Sequence, residues 1–390
     1  MKKILFILLA FFILIPPSHA FEQLIRVRIL SRYDLKEVNI LSPLAQIKTI
    51  DFLGKSVERI GPPDLPLRIK GLERKVELRI GSSKEELSQL IITPPQGSTL
   101  EIKLGGDLQR KFKGKVQIRS SYGSLIFTEE LELDDYVRGV LEAELPPGFP
   151  DEAQKAQAIA IRSCALANAD RHLREGYNFC DLTHCQVYGG KNLPYRSMDD
   201  AVRATQRLIM RYEGKPIQAL FHSTCGGHTS ANQKVFGGKP LPYLQGVDDE
   251  KFCERSPHYR WDSSVSLKIL EEVLKKEKET NPRGEIRNIR IAEQEPDLGR
   301  VFKIALEGKR NFTLPTVDFI SVVGRYLGWS KLKSNWFAVE VNEGEASFKG
   351  RGLGHGVGLC QWGARGMAEA GKKFPEILKH YYPGAELVQR

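Results

Sequence analysis

The chain has 390 residues, which suits one large domain or two ordinary ones, and its formal net charge is +10. A basic chain suits an anionic partner such as a cell wall, a membrane surface or a nucleic acid, but there is no aromatic-and-basic signature of a DNA- or RNA-binding module. The six cysteines are too few and too unevenly spaced for a disulfide scaffold in a chain of this length.

The N-terminus has the pattern of a secretory signal. Two lysines precede an apolar run at residues 4–15, and Ser18-His19-Ala20 offers a small-residue cleavage site. The run is too short to span a bilayer comfortably, and two prolines follow it. We predict a signal peptide at residues 1–20, cleaved near Ala20, and export to the periplasm or cell envelope. An uncleaved anchor is the alternative. After cleavage no later segment is apolar enough to span a membrane, and export makes nucleic acid the least suitable partner.

Residues 21–125 have mostly strand-like patterns. Apolar and polar residues alternate at 25–30, 78–80 and 100–104, and clusters of Gly, Pro, Ser and Asp separate these runs. We predict a β-rich N-terminal region with no evident chemistry.

The pattern changes to helical spacing near Asp134. A helix is predicted from Leu133, with acidic residues in its first turn, and Pro146 and Pro147 end it. A second helix is predicted at residues 150–172. Its many alanines either allow close approach of neighbouring backbones or only reflect high helix propensity.

The rest of the chain alternates between the two types of element, without an internal repeat or a low-complexity linker. We predict a strand at 216–221, a charged helix at 264–280, two strands within 286–306, a helix at 316–327, strands within 337–348 and a last helix at 367–382. The predicted fold class is therefore α+β, with a mixed helix/strand domain at residues 126–390 after the β-rich region.

Glu144 is a candidate general acid. It lies at the C-terminal end of a short predicted helix, where the negative end of the helix dipole raises the pKa of a carboxyl. A general acid near neutral pH needs such a raised pKa. Most carboxylates are solvated surface groups, so an exposed glutamate at a helix end is the alternative.

Arg162 stands out because the residues around it in the second helix are small or apolar. Its guanidinium either reaches solvent or binds a carboxylate or a substrate. Glu144, at the end of the preceding helix, is the nearest plausible carboxylate.

Cys180, His184 and Cys185 place two thiols and an imidazole within six residues. Structural zinc takes mixed Cys/His sets of four, and the loop at residues 222–228 could add further ligands. The spacing is not that of a zinc finger, and disulfides such as Cys225–Cys253 are the alternative in an exported protein.

Five glycines fall within nine residues at Gly350–Gly358 and surround His355. Such a segment favours positive φ angles or close approach to a ligand. Gln361 and Trp362 follow, and an amide beside a large flat ring suits sugar rings. A glycine-rich turn that leads into a C-terminal helix is the alternative.

A series of segments, in order along the chain, resembles the SpoIID/LytB family of exported cell-wall proteins. They lie at residues 133–140, 144–146, 156–162, 183–188, 222–229, 354–358, 361–364 and 378–384. The resemblance covers about residues 117–390. Leu145 and Ser163 replace the usual Met and Thr of two motifs. Cys225 and Cys360 replace usual serines, of which the first suggests a disulfide or an extra metal ligand and the second a change in packing only.

The resemblance implies a lytic transglycosylase that acts on peptidoglycan glycan strands. It assigns the catalytic acid to Glu144, and Arg162 would orient Glu144 or the substrate. His222, His355 and Gln361 would line a glycan cleft, with Trp362 beneath it or stacked on a sugar. No cofactor is required, although some members bind zinc through a Cys/His cluster, here Cys180, His184 and Cys185.

Two other functions compete with this one. Other relatives are described as amidase enhancers, so the chain could be a non-catalytic glycan-binding module that stimulates a cell-wall amidase. A thiol or metal enzyme at Cys180 and Cys185 is a third interpretation. The absence of a Cys-x-x-Cys pair there argues against redox work.

Overall fold

The computed structural model describes residues 24–106 and 108–390. The predicted signal peptide at residues 1–20, with its cleavage site near Ala20, lies outside the described residues. The described residues form many strands and several helices, which confirms the predicted α+β class.

The first half of the strands lies before residue 133, in a β-rich region as predicted. These strands are β1 Leu24–Ile29, β2 Glu37–Leu41, β3 Gln46–Ile50, β4 Ser56–Ile60, β5 Leu67–Leu72, β6 Lys75–Ile80, β7 Ser83–Leu87, β8 Gln89–Thr93, β9 Leu100–Gly105, β10 Leu108–Phe112, β11 Lys115–Ser121 and β12 Ser124–Glu132.

Helices alternate with shorter strands in the rest of the chain. The helices are α1 Leu133–Glu144, α2 Asp151–Ala167, α3 Arg196–Ala204, α4 Asn232–Phe236, α5 Glu250–Cys253, α6 Leu267–Leu274, α7 Thr316–Leu327, α8 Gln361–Glu369 and α9 Phe374–Tyr381. The strands are β13 Phe179–Cys180, β14 Leu208–Tyr212, β15 Lys215–Pro216, β16 Phe221–His222, β17 Arg260–Ser266, β18 Ile286–Gln294, β19 Val301–Gly308, β20 Phe312–Pro315, β21 Phe337–Asn342, β22 Glu345–Arg351, β23 Leu359–Cys360 and β24 Glu386–Gln389.

Two largely antiparallel sheets build the N-terminal region. One has seven strands in the order β13-β1-β12-β11-β8-β3-β4, and the other has six in the order β10-β9-β2-β5-β6-β7. In β1, Ile25, Val27 and Ile29 are buried while the residues between them are more exposed. This alternation is what one buried sheet face requires. The short strand β13 pairs parallel to β1 and thereby places Cys180 beside the sheet.

Helix α2 is the centre of the helical part, because it contacts α1, α3, α8, α9 and β14. Ala156, Ala158 and Ala160 are fully buried in these contacts. The alanines therefore do allow close packing. Gly139 on α1 has the same role, since a Cβ there would lie 2.3 Å from Cε2 of Tyr188.

A single apolar core runs from Ile25 to Tyr382 and includes both the sheets and the helices around α2. A second core, from Trp261 to Phe348, joins β17–β22 with α6 and α7. The boundary proposed between residues 125 and 126 stays a prediction, and the first core crosses it without a break.

Some predicted elements differ from the observed ones. The predicted strand at 216–221 is two short strands, β15 and β16, and the second helix ends at Ala167. The predicted helix at 264–280 is shorter at both ends, as α6 Leu267–Leu274. It starts only at Leu267 because residues 260–266 pair with β22 as β17. The predicted last helix is two helices. Gly371 has a φ of +87°, which suits the end of a helix, and Pro375 begins the next one.

None of the helices within residues 24–106 and 108–390 combines the length and the apolar character that crossing a bilayer requires.

Glu129 is a fully buried carboxyl in β12, and it makes stability depend on pH. It accepts hydrogen bonds from Gly114 N at 2.7 Å and from Tyr188 Oη at 2.7 Å. Burial raises its pKa from 4.5 to about 7. The folded state therefore binds the Glu129 proton more tightly than the unfolded state does. The stability that this proton contributes is fully present below about pH 4.5 and is lost as the pH rises through about 7.

We expect Glu129→Gln to flatten this dependence, because the amide carries no titrating proton. The wild type should lose about 3 kcal/mol more than the variant between pH 4.5 and pH 8. Urea denaturation of both proteins across this range measures the difference. Parallel curves for the two proteins would show that Glu129 titrates normally.

Candidate functional site

Glu144 is the last residue of α1, and its carboxyl is half-buried. Leu145 closes the helix with a hydrogen bond from its amide to Leu141 O, and Pro146 prevents continuation. The amide of Val187 donates to Glu144 Oε1 at 3.2 Å. The predicted position at a helix end is thus confirmed, and the side chain is held from the segment at residues 185–187 instead of being solvated.

Burial raises the pKa of Glu144 from 4.5 to about 6, against the opposing effects of the Val187 amide and the Gln361 side chain. The dominant cause is therefore the loss of solvent. A carboxyl with this pKa is partly protonated near neutral pH and still able to lose its proton, as a general acid/base requires.

Gln361, the first residue of α8, is brought to Glu144 although 217 residues separate them along the chain. It is buried, and its amide nitrogen has no hydrogen-bond partner of good geometry among the described residues. An unpartnered buried amide has a large cost unless a ligand or water satisfies it. Gln361 thus offers a donor to a bound group beside the carboxyl.

Glu142, close to Glu144 on the same helix, is fully engaged elsewhere. Its carboxylate accepts from the amides of Asn192 and Leu193, both at 3.0 Å, and pairs with Arg138 at 2.8 Å. The nearest carboxyl in sequence is therefore structural, and Glu144 does not share its site with it.

His222 lies at the end of β16 and is 4% exposed. Burial lowers its pKa well below 6.5, so the ring is neutral. Its Nδ1 lies 3.2 Å from the carbonyl oxygen of Val357, which can only accept, so Nδ1 carries the proton. The buried Nε2 is then a free acceptor and has no partner within the described part of the chain.

The ring of His355 lies beside that of His222, with centroids 5.4 Å apart and the two planes tilted by 57°. Burial lowers its pKa to about 4, and a backbone hydrogen bond with Phe221 opposes this effect. Its Nδ1 accepts from the amide of Val357 at 3.1 Å. The ring thus holds the two segments together, and its predicted contact with substrate stays a prediction.

Trp362 is half-buried and packs edge-to-face on Phe149 at 5.7 Å, while the guanidinium of Arg365 lies 4.9 Å above its ring. Its amide donates to the carbonyl of Ser223 at 3.0 Å. Trp362 therefore packs against protein groups directly after Gln361. Its stacking on a sugar stays a prediction.

The glycine-rich segment adopts the backbone that the sequence predicts, with positive φ at four of its five glycines. At Gly358 a Cβ would lie 2.0 Å from Leu220 O, and at Gly356 it would lie 2.5 Å from Nη1 of Arg300. Only glycine fits both the conformation and the space, and this lets β23 pair with β16.

The predicted contact between Arg162 and Glu144 is wrong. Arg162 is 1% exposed, and its Nε donates to Asp134 Oδ1 at 2.8 Å. Its Nη1 donates to the carbonyls of Thr205 at 2.9 Å and Leu208 at 3.1 Å. The guanidinium ties the start of α1 to the segment after α3. These contacts do not include Glu144, and the predicted action of Arg162 on the substrate stays a prediction.

Cys180, His184 and Cys185 do come together, and the structure adds His172 to them. His184 Nδ1 lies 3.3 Å from His172 Nε2, 3.8 Å from Cys180 Sγ and 3.7 Å from Cys185 Sγ. Tetrahedral zinc with N and S ligands has ligand-to-ligand distances of about 3.3–3.8 Å. The donor set therefore fits zinc.

The surroundings of His172 support this fit. Its Nδ1 lies 2.5 Å from Glu175 Oε1, which leaves Nε2 free as a ligand, and Tyr177 donates to the other oxygen of that carboxylate. A carboxylate behind a histidine is the usual support of a zinc ligand. Cys185, the last residue of the cluster, precedes Val187 by two residues, so an ion bound there would anchor the segment that holds Glu144.

Sequence reasoning missed three residues of the site and its support. His172 lies eight residues before Cys180, outside any familiar spacing, although another histidine near a Cys/His cluster was a usable signal. The local pattern marks Asp134 only as an acidic residue at the start of a helix, and its contact with Arg162 comes from the tertiary structure. Arg300 is fully buried and donates to the carbonyls of Cys225 at 2.9 Å and His228 at 2.7 Å, and no local pattern marks it.

The chain matches known proteins in sequence. The family model described as "Stage II sporulation protein" (SpoIID) matches residues 121–212, which contain Glu144, Arg162 and the Cys/His cluster. The stage II sporulation protein D of Bacillus amyloliquefaciens is 31% identical over 276 residues, which are 67% of this chain and 75% of the relative.

The chain belongs to the SpoIID/LytB family.

An uncharacterized protein of Brachyspira hyodysenteriae is 34% identical over 278 residues, 68% of this chain and 72% of that protein. A Bacillus subtilis protein named amidase enhancer is 28% identical over 297 residues, 65% of this chain and 40% of that protein. A second family model, a domain of unknown function (DUF8618), matches residues 250–358, which contain the second apolar core.

Proposed function

We propose that this SpoIID/LytB protein is an exported lytic transglycosylase that cleaves peptidoglycan glycan strands, with Glu144 as the general acid and base. The observation that carries the proposal is the half-buried carboxyl of Glu144 with a pKa of about 6, held by Val187 N–H and faced by Gln361. Family membership supports a role at the cell wall.

The proposed reaction needs only one carboxyl. Protonated Glu144 gives its proton to the glycosidic oxygen between N-acetylmuramic acid and N-acetylglucosamine, and the bond from that oxygen to the muramoyl C1 breaks. The Glu144 carboxylate then takes the proton of the muramoyl C6 hydroxyl, whose oxygen bonds to C1 and closes a 1,6-anhydro ring. Water is not consumed, so the second carboxylate of a hydrolase, at about 5–9 Å, is not required.

The unpartnered polar atoms of the site suit a sugar. The Gln361 amide group faces Glu144 and has two N–H donors, so one donor remains for a ligand. His222 Nε2 is a buried acceptor without a partner within residues 24–106 and 108–390. Sugar hydroxyls and N-acetyl groups provide both complementary functions. We therefore assign glycan binding to His222 and Gln361, with His355 and Trp362 supporting the cleft.

The second candidate function is a glycan-binding enhancer of a cell-wall amidase, which the relative named amidase enhancer favours. In that case Glu144 only forms hydrogen bonds to the sugar.

Mass spectrometry of purified, peptide-free glycan strands after incubation with the protein separates these functions. We expect products that end in 1,6-anhydro-muramic acid. Products with only reducing ends would identify a hydrolase. Binding without any product, together with stimulation of a wall amidase, would support the enhancer.

We also propose a structural zinc ion on His172, Cys180, His184 and Cys185. The ion would hold the segment that leads to Val187, and it takes no part in the reaction. We expect the reduced protein to contain zinc at this cluster and Cys185→Ser to lose one equivalent relative to the wild type. Metal analysis with thiol counting after denaturation in chelator measures this, and Cys164→Ser, a buried thiol outside the cluster, is the control. A Cys180–Cys185 disulfide would contradict the proposal.

A further inference from the structure

Four buried side chains meet at the start of α8 and form a group that the proposed reaction does not use. They are Cys225, Asp249, Cys253 and Cys360, and their ligand atoms all lie within 4.8 Å of one another. We propose that this Cys₃Asp cluster is a second metal site, which binds one thiophilic divalent cation such as Zn²⁺. This site shares no residue with the cluster of His172, Cys180, His184 and Cys185. Metal binding to it does not depend on the proposed cleavage of glycan.

The distances suit tetrahedral coordination. Cys225 Sγ lies 3.4 Å from Cys253 Sγ and 3.3 Å from Asp249 Oδ2. Tetrahedral zinc, with Zn–S of about 2.3 Å and Zn–O of about 2.0–2.2 Å, separates its ligand atoms by about 3.5–3.8 Å. Both distances are therefore within about 0.4 Å of the values that a bound ion requires. A disulfide has an S–S distance of about 2.05 Å, so the two thiols are not bonded to each other in this structure and both are free to act as ligands.

Backbone amides already point at the sulfurs. Cys360 Sγ accepts from Cys225 N at 3.2 Å and from Gly363 N at 3.3 Å, and Cys225 Sγ accepts from Gly227 N at 3.4 Å. Hydrogen bonds from amides stabilise the thiolate form, which is the form that binds metal. At Gly363 a Cβ would lie 2.0 Å from Asp249 Oδ2, so only glycine allows this approach.

Asp249 is oriented as a ligand. Tyr381 Oη donates to its Oδ1 at 2.7 Å, and His380 Nε2 lies 3.7 Å from the same oxygen. Oδ2 is left facing the sulfurs. A hydrogen-bonded carboxylate of this kind is the expected support around a metal, because it fixes the direction of the ligating oxygen.

The charges also favour a cation. Four anionic ligands would be too costly in a dry interior without a counter-charge. Arg300 supplies one positive charge, since its buried guanidinium donates to Cys225 O at 2.9 Å. A divalent cation would add two further positive charges against the four anionic ligands. Three soft sulfur ligands select zinc-like ions over calcium or magnesium.

The ion would join segments that are distant along the chain. Cys225 and Cys360 are 135 residues apart along the chain. Cys225 lies three residues after His222, and Cys360 lies directly before Gln361. A metal here would fix the loop after β16 to the start of α8.

The test uses the full chain with Cys180→Ser and Cys185→Ser, which removes the first cluster. The reduced, chelator-treated protein is titrated anaerobically with Co²⁺ alone. We expect one equivalent to bind, with the visible absorption of tetrahedral cobalt and thiolate-to-metal charge transfer. Adding Cys253→Ser should weaken binding at least about 10-fold and remove the charge-transfer band of that sulfur. Adding Cys164→Ser instead should leave the titration unchanged.

A second measurement covers the case in which the background variant does not fold. In the otherwise unchanged chain, Cys253→Ser should bind one equivalent of Zn²⁺ fewer than the wild type, with an unchanged near-ultraviolet circular dichroism spectrum. Absence of any Co²⁺ or Zn²⁺ at the cluster while all its thiols react freely would overturn the proposal. A Cys225–Cys253 disulfide in protein isolated without reductant would also overturn it.

Discussion

Glu144→Gln is expected to lower the release of anhydro-muramoyl products by about 10²–10⁴-fold while leaving the fold intact. The amide keeps the size of the side chain and can still accept the hydrogen bond from Val187 N, but it has no proton to give to the glycosidic oxygen. Product analysis by mass spectrometry measures the loss, and a thermal melt checks the fold. The exposed Glu340→Gln is the matched control and should behave as wild type.

The pH dependence gives an independent test of the same residue. The acid must be protonated before reaction, so kcat/KM should fall as the pH rises through the pKa of Glu144, about 6, and decrease about tenfold for each further pH unit. The Gln361 side chain lowers this pKa, so Gln361→Met should raise it and move the alkaline limb to higher pH. Wild-type activity in Glu144→Gln, or an unmoved limb in Gln361→Met, would contradict the assignment.

Arg162→Ala is expected to destabilise the protein by about 3 kcal/mol and to leave the shape of the pH–activity profile unchanged. The substitution removes a buried guanidinium that bonds Asp134 and two backbone carbonyls, at Thr205 and Leu208. Those carbonyls would stay buried without a donor, which has its own cost. The pKa of Glu144 should stay the same, because no hydrogen bond or ion pair joins its side chain to Arg162.

Urea denaturation of Arg162→Ala, Arg162→Lys and the exposed control Arg174→Ala measures this role. A lysine side chain keeps the charge but cannot reproduce the several directed bonds of the guanidinium, so the stability of Arg162→Lys should fall between those of the other two variants. If Arg162→Ala instead had normal stability and a pH–activity profile with a shifted alkaline limb, Arg162 would act through Glu144.

The local sequence determined much of the fold. Alternating apolar residues predicted the β-rich region, and helical spacing with Pro146 as a stop signal predicted α1, whose last residue is Glu144. Helix α7 and the hairpin at residues 286–308 were also predicted, because their patterns are set by one buried face within each element. Predictions failed where a partner element decided the outcome, as at residues 264–266, which were predicted to be helical but pair with β22.

The site itself was determined only in part by the sequence. Residue types and the family resemblance identified Glu144 and the cluster of Cys180, His184 and Cys185. Their partners follow from the packing of the chain, because they come from other segments: Val187 and Gln361 for Glu144, Asp134 for Arg162, and His172 for the cysteines. Burial sets the pKa of Glu144, and burial is a property of the packed chain. A single sequence shows which side chains are present, whereas packing decides which of them meet and how much water remains around them.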